Sequence, residues 1–250
     1  SEGDEVDVIT SRSLYGEREA DLPRTERVDG ARVFRVSRNY FGKSSTIGRV
    51  IDFALFYVAA SVRLLTLRRQ DVVICFTTPP LIALVGLLLR PIRRHRLVYW
   101  VMDLYPDTAV AAGMMAQRSL LARSLDWISR CCLRRADRVV VLGRCMLERV
   151  REKPGVDRGQ IHRIGVWSDA KEVTDVPPED NRYRDAWDLQ GKFIPMYAGN
   201  FGIVHDVETM LLASERLARN TDIVFTFVGG GKRKQEVEDF VRDRGIAARC

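Results

Sequence analysis

Two glycine turns carry the clearest chemical potential in this sequence. Gly199-Asn200-Phe201-Gly202 ends an apolar run over 193–198, and Gly229-Gly230-Gly231 ends another over 223–228, followed by Lys232, Arg233 and Lys234. A strand that stops in such a turn brings bare backbone to its carboxyl end, where open parallel sheets bind ligands. Beyond the first turn, Val207, Leu211, Ser214 and Ala218 lie at helical spacing, so a helix is expected over 204–218. A helix opened by a glycine turn leaves N–H groups and the positive end of its dipole facing outward, which suits an anion. The two turns together are expected to grip a nucleotide diphosphate. The donor-binding candidates are Gly199, Asn200, Phe201, Gly202, His205, Gly229, Gly230, Gly231 and Lys232. A dinucleotide fits less well: position 204 is Val where GxGxxG needs its third glycine, and the second strand does not end in a ribose-binding acid. Lys232 and Arg233 could still meet the 2′-phosphate of NADP, so an NADP-binding oxidoreductase is the weaker reading.

The first half offers other candidates at strand ends, "TTPP" over 77–80 and "DLYPD" over 103–107. Asp103 directly follows a strand. It either caps loop N–H groups or contacts a substrate hydroxyl and acts in proton transfer, and it is the catalytic candidate. Thr77, Thr78 and Asp107 are acceptor-side candidates, although Asp107 also reads as a helix N-cap. The histidines 95, 162 and 205 and the five cysteines show no metal-site or CxxC spacing. No metal is expected, and the thiols are expected to be reduced.

The formal charge of +7 is unevenly placed: residues 1–150 hold 24 Lys and Arg against 16 Asp and Glu, and residues 151–250 hold 16 against 17. A basic first half points to an anionic partner. Nucleic acid is disfavoured, because no aromatic residues interleave with the basic ones. The apolar segments 51–67 and 81–89 are too short or too interrupted to span a membrane, which takes about 20 residues. They are expected either as core helices or as a monotopic contact. In the latter, Arg68, Arg69, Arg90, Arg93, Arg94 and Arg96 meet anionic headgroups. A membrane-associated scaffold without catalysis is the third reading.

These loops must be held by strands alternating with helices. Strands are expected at 6–10, 32–36, 71–76, 97–102, 138–142, 161–166, 193–198 and 223–228. Helices are expected at 47–68, 80–89, 119–134, 145–152, 204–218 and 235–244. The rhythm is α/β, with two Rossmann-like doubly wound parallel-sheet domains, and continuous runs such as "DVVICF" read as strands buried on both faces. The polar tract around Pro177-Pro178 breaks the rhythm. The expected organisation is an N-terminal domain over 1–168, a linker over 169–190 with one short helix, and the start of a second domain over 191–250. Both ends read as cuts through a fold.

The ordered motifs "GDEVDVIT", "DVVICFTTPPL", "VYWVMDLYPDTAVAAGMM", "ADRVVVLGRCM", "PMYAGNFGIVHDVETML" and "FVGGGKRKQEVE" resemble the retaining sugar-nucleotide glycosyltransferases of family 4. These have the GT-B architecture, and the likeness is to the bacterial branch that builds surface polysaccharide, O-antigen and capsule. The resemblance implies an acceptor domain, often for a lipid-linked sugar at the inner membrane face, followed by a domain for a UDP- or GDP-sugar. It implies a cytoplasmic or peripheral location and transfer with retention, with no required metal and no cofactor beyond the donor. Asp103 would serve the acceptor side, and Gly199, Asn200, Gly202 and Gly229–Gly231 the donor. Three departures stand out. The family's first strand and its glycine-rich loop lie upstream of "GDEVDVIT". Its E-x7-E pair lies beyond Cys250. Asn200 and His205 stand where many members place Arg and Lys on the diphosphate. The chain by itself is therefore expected to be inactive.

Overall fold

The structure is a computed structural model that describes residues 3–12, 22–38, 40, 46–168, 174–203, 205–246 and 248–249. The chain divides into two compact units, one of Ser1–Val110 with Met115–Val166, the other of Trp167–Cys250 with Ala111–Met114.

In the N-terminal unit, β1 (Asp7–Ser11) pairs in parallel with β3 (Ala31–Ser37), and β2 (Thr25–Val28) runs antiparallel to β3. Strand β2 was not expected. It is four residues long and carries alternating charge. The Asp29-Gly30 turn that forms its hairpin has positive φ at both residues, the conformation Asp-Gly favours between paired strands.

There follow α1 (Thr46–Thr66), β4 (Val72–Cys75), α2 (Ala83–Arg93), β5 (Arg96–Val101), α3 (Asp107–Ala111), α4 (Leu120–Arg135), β6 (Arg138–Val141), α5 (Arg144–Arg151) and β7 (Ile161–Arg163). Strands β4-β5-β6-β7 form one parallel sheet in that order, as an α/β alternation requires. Helix α2 runs four residues past its expected end, through Pro91. Its last turn is held by the Arg90–Asp137 ion pair at 2.8 Å, and the Arg93 guanidinium donates to the carbonyls of Leu65, Leu67 and Arg68.

One face of this sheet is a dry core. Leu97, Tyr99, Val101, Val139 and Val141 are at most 1% exposed and pack with Cys132, Leu133 and Val150. The expectation of burial on both faces fails at β4. Val72, Ile74 and Phe76 are each about half exposed, because β4 is the edge of its sheet and the described residues do not cover that face. The core is tight where α2 crosses it. A β-carbon on Gly86 would lie 2.8 Å from Leu97 Cδ1 and 3.0 Å from Cys75 Sγ. Gly86→Val should therefore lower stability by roughly 1–3 kcal/mol, read as an earlier urea midpoint; an unchanged midpoint would mean that α2 moves away freely. His95, 3% exposed, sits in the same core with Nε2 on Gly86 O at 3.0 Å, and burial lowers its pKa.

The C-terminal unit contains α6 (Arg182–Ala186), β8 (Met196–Ala198), α7 (Glu208–Arg216), β9 (Phe225–Val228), α8 (Lys234–Asp243) and β10 (Ala248–Arg249). Its parallel sheet has the order β10-β9-β8. Phe201, Val207, Leu211, Phe225, Phe227 and Val237 form its core. Residues 169–173 of the expected linker, Val204 at the expected start of the α7 helix, and Cys250 lie outside the described residues.

Candidate functional site

The two glycine turns follow β8 and β9 and touch each other. Gly199 N–H donates to Val228 O at 2.9 Å, Phe201 N–H to Gly230 O at 2.7 Å, and Arg233 N–H to Phe201 O at 3.0 Å. The approach is so close that a β-carbon on Gly229 would overlap the Gly199 carbonyl. One on Gly231 would stand 2.6 Å from Phe201 O. Both residues also have positive φ, +148° and +135°. Loop packing by itself accounts for these two glycines. It does not account for Gly230, whose β-carbon would meet nothing within 4 Å. The N–H groups of Asn200, Gly230, Gly231 and Lys232 have no hydrogen-bond partner among the described residues, and all four residues are exposed. Unpaired amides at a strand-to-helix turn attract anions. The Lys232 ammonium lies in the same loop and makes no ion pair with a described residue.

Several expectations need correction. Helix α7 begins at Glu208, beyond the glycine turn, and the Asp206 carboxylate accepts from the backbone N–H and hydroxyl of Thr209 at 3.2 and 2.7 Å. The hydroxyl and N–H of Thr209 hold the Asp206 pKa down. A carboxylate therefore sits at that helix start, where its charge disfavours a diphosphate. The helix that does adjoin the loops is α8, whose N-terminus has no side-chain cap. Phe201 contributes only backbone, since its ring is 1% exposed and stacks on Tyr197 with centroids 5.1 Å apart. His205 is held sideways. Its Nδ1 contacts the Tyr197 hydroxyl at 2.9 Å and lies close against Asn200 O, which orients the ring without ligand. Arg233 donates to both Glu236 carboxylate oxygens from one guanidinium edge, Nε at 2.8 Å and Nη2 at 2.6 Å, and its Nη1 donates to His205 O. It is a strut between the loops, which leaves Lys232 as the cation for any phosphate. Tyr197 is a structural residue of this site that the sequence did not mark, and Arg233, expected as a phosphate cation, is instead structural. Arg233 shows the i,i+3 spacing to Glu236 that a helix start favours.

The N-terminal unit brings 77–80 and 103–107 together at the carboxyl ends of β4 and β5. Thr77 is 1% exposed and its hydroxyl accepts the Asp103 N–H at 3.0 Å, so it fixes the loop and does not face an acceptor; Thr78 is exposed. Asp103 itself is exposed, with no side-chain partner among the described residues. Tyr105 lies nearby. Burial chiefly raises its hydroxyl pKa, the Asp103 charge adds to that, and Arg49 opposes it. Asp107 is not a free N-cap. Its carboxylate takes Arg149 Nε at 3.0 Å and Lys153 Nζ at 2.6 Å, and Lys153 also reaches Asp126 at 2.9 Å. Of the six membrane candidates, Arg90 and Arg93 are engaged internally as described above, whereas Arg68, Arg69, Arg94 and Arg96 are exposed. Cys75, Cys131, Cys132 and Cys145 are free thiols, and burial pushes Cys75 and Cys132 up to about 12. Among the described residues, no group of three or more His, Cys, Asp or Glu side chains is placed to hold a metal ion.

Parallel sheets under helices in two units, with glycine loops at the strand ends, are the architecture of the GT-B glycosyltransferases. Solved structures share this fold, among them the following two. Sucrose-phosphate synthase of Thermosynechococcus elongatus superposes with a TM-score of 0.69 at 17% identity, over 99% of this chain and 60% of that one. Anabaena Alr3699/HepE, solved with UDP-glucose, gives 0.61 at 12% identity, over 87% and 54%. The chain belongs to the glycosyl transferase 4-like domain family, whose pattern its residues 1–167 match. It is 31% identical over 207 residues to "Probable glycosyltransferase WbjE" of Pseudomonas aeruginosa, covering 83% of this chain and 50% of WbjE. It is 27% identical over 257 residues to WcaI of Escherichia coli K12, named for colanic acid biosynthesis, covering 98% and 63%. The chain thus spans half to under two thirds of the relatives' lengths.

Proposed function

We propose that this chain is part of an enzyme that moves a sugar from a UDP- or GDP-sugar to a lipid-linked saccharide during surface-polysaccharide assembly. The anomeric configuration is retained, no metal is needed, and the enzyme works at the inner face of the cytoplasmic membrane. The observation that carries this reading is the pair of touching glycine loops, whose amides at Asn200, Gly230, Gly231 and Lys232 are unengaged beside an exposed lysine. A diphosphate is the group such a surface suits, and family membership says which diphosphates to try. In this reading residues 191–250 begin the donor domain, 169–190 are a linker, and 1–168 serve the acceptor. Asp103 is the candidate group on that side for contacting the acceptor hydroxyl or moving its proton.

The chain covers only 50% and 63% of the lengths of WbjE and WcaI. By itself this 250-residue chain should transfer no sugar, and measurable transfer by it would refute that. NADP binding is less favoured, because Arg233 is engaged by Glu236 and leaves Lys232 without a second cation for a 2′-phosphate. Saturation-transfer NMR on the full-length gene product should show contact with UDP- or GDP-sugars and none with NADPH. The opposite pattern would favour the oxidoreductase.

A further inference from the structure

A surface helix ordinarily turns polar residues to water and apolar ones to the core. Helix α1 does not. Its inner side carries Ala60 and Leu64, each under 8% exposed, and the Arg63 guanidinium lies inward over the Phe34 ring at 3.8 Å. Its outer side is also apolar. Ile47, Ile51, Leu55, Val58, Val62 and Leu65 follow one another at spacings of three and four, and all are exposed, Ile47 at 75% and Val58 at 65%. Successive side chains at that spacing line one face, and the run covers about 27 Å of helix. The stripe continues onto α2. Arg93 ties the end of α2 to the last carbonyls of α1, and Leu88 and Ile92, 64% and 69% exposed, add to the apolar surface there.

Charge around this face is one-sided. Between Asp52 and Asp103 the sequence has seven arginines and one acid, Asp71. Three of the arginines are used internally: Arg63 over Phe34, Arg90 on Asp137, and Arg93 on α1. Arg68 and Arg69, just past the end of α1, and Arg94, the left-handed cap of α2, remain exposed with no ion pair to a described residue. Among the described residues no helix is long and apolar enough to cross a membrane. A long apolar stripe ending in cations is instead the pattern of a helix lying in the plane of a bilayer interface.

We propose that the outer face of α1, with Leu88 and Ile92 of α2, docks flat on an anionic phospholipid bilayer. The stripe enters the boundary between headgroups and acyl chains, and Arg68, Arg69 and Arg94 take lipid phosphates at its end. The inference rests on the proposed peripheral location and names the surface that achieves it. It also revises the contact set: the aliphatic stripe supplies the contact area, and Arg90 and Arg93 take no part.

The test is co-sedimentation of the full chain with phosphatidylcholine vesicles, with and without phosphatidylglycerol. The wild type should bind the anionic vesicles and be released by salt. Val58→Glu with Val62→Glu should reduce partitioning about tenfold or more, and Arg68→Glu with Arg69→Glu several-fold. These positions are exposed, so thermal unfolding of both variants should match the wild type. Equal binding to neutral and anionic vesicles would overturn the proposal. So would wild-type binding by both variants, or a dimer that Val58→Glu with Val62→Glu dissociates. Saturation transfer from a UDP-sugar, run on the stripe variant of the full-length product, keeps the two readings apart. If vesicle docking holds while sugar-nucleotide contact is absent, only the transferase reading fails.

Discussion

Gly230→Phe is expected to abolish nucleotide-sugar binding in the full-length protein while the C-terminal unit stays folded, whereas Gly229→Ala, one residue away, is expected to destabilise the unit itself. A β-carbon at 230 meets no protein atom within 4 Å and lacks the strain of a left-handed backbone. A phenyl ring there is expected to crowd the space beside the open Gly230, Gly231 and Lys232 amides. Losing a diphosphate that contacts those amides should raise Kd at least tenfold, about 1.4 kcal/mol, with an unchanged unfolding midpoint. At 229 even a methyl group meets the Gly199 carbonyl, and φ is +148°. The loops must separate, which breaks the bonds of Phe201 N–H to Gly230 O and Arg233 N–H to Phe201 O. Roughly 3 kcal/mol or more of destabilisation should follow. Calorimetry and ligand titration on the two variants separate the roles. If Gly230→Phe binds donor normally, the loop is only a corner.

A similar contrast is expected between two aspartates four positions apart, Asp103 in the loop after β5 and Asp107 at the start of α3. Asp103→Asn should lower transfer by the full-length enzyme by about 10²–10⁴-fold with no change in thermal unfolding, if its carboxylate moves a proton. The position suits such a group: the Thr77 hydroxyl fixes its backbone while its side chain stands exposed. Asp107→Ala should instead cost stability. It leaves Lys153, which is 11% exposed, with only Asp126, and leaves Arg149 with only Glu152. About 1 kcal/mol is the expected order, since Lys153 and Arg149 each lose one of two charged partners. Full activity in Asp103→Asn would remove it from the mechanism.

The parallel strands were readable because buried apolar runs such as residues 138–141 resemble little else. Glycine after a strand likewise announced both loops. The reasons for the individual glycines were not readable. Gly229 and Gly231 are required by the approach of a second loop, a tertiary contact with no local signature, whereas Gly230 is not required by packing. Thr77, Arg90 and Arg93 looked like free polar groups for the same reason, since their partners lie 25 or more positions away in sequence. The start of α7 was misplaced because Val207 fits the helical period, yet Asp206 ends the loop by taking Thr209 as its capping partner. Strand β2 was missed because four residues with alternating charge carry too little apolar pattern, although Asp29-Gly30 marked the hairpin. The apolar outer face of α1 was visible in sequence as periodicity, but only its exposure shows that both sides of the helix are greasy.

The most direct test of the central claim is the amide NMR spectrum of the protein as UDP-glucose or a GDP-sugar is added. The loops are expected to respond first: the amides of Asn200, Gly230, Gly231 and Lys232 should shift in a saturable way, and those of Val207 to Thr209 at the capped start of α7 should move little. Saturable shifts confined elsewhere, or no shifts with either nucleotide sugar, would contradict the assignment of these glycine loops to a sugar-nucleotide diphosphate.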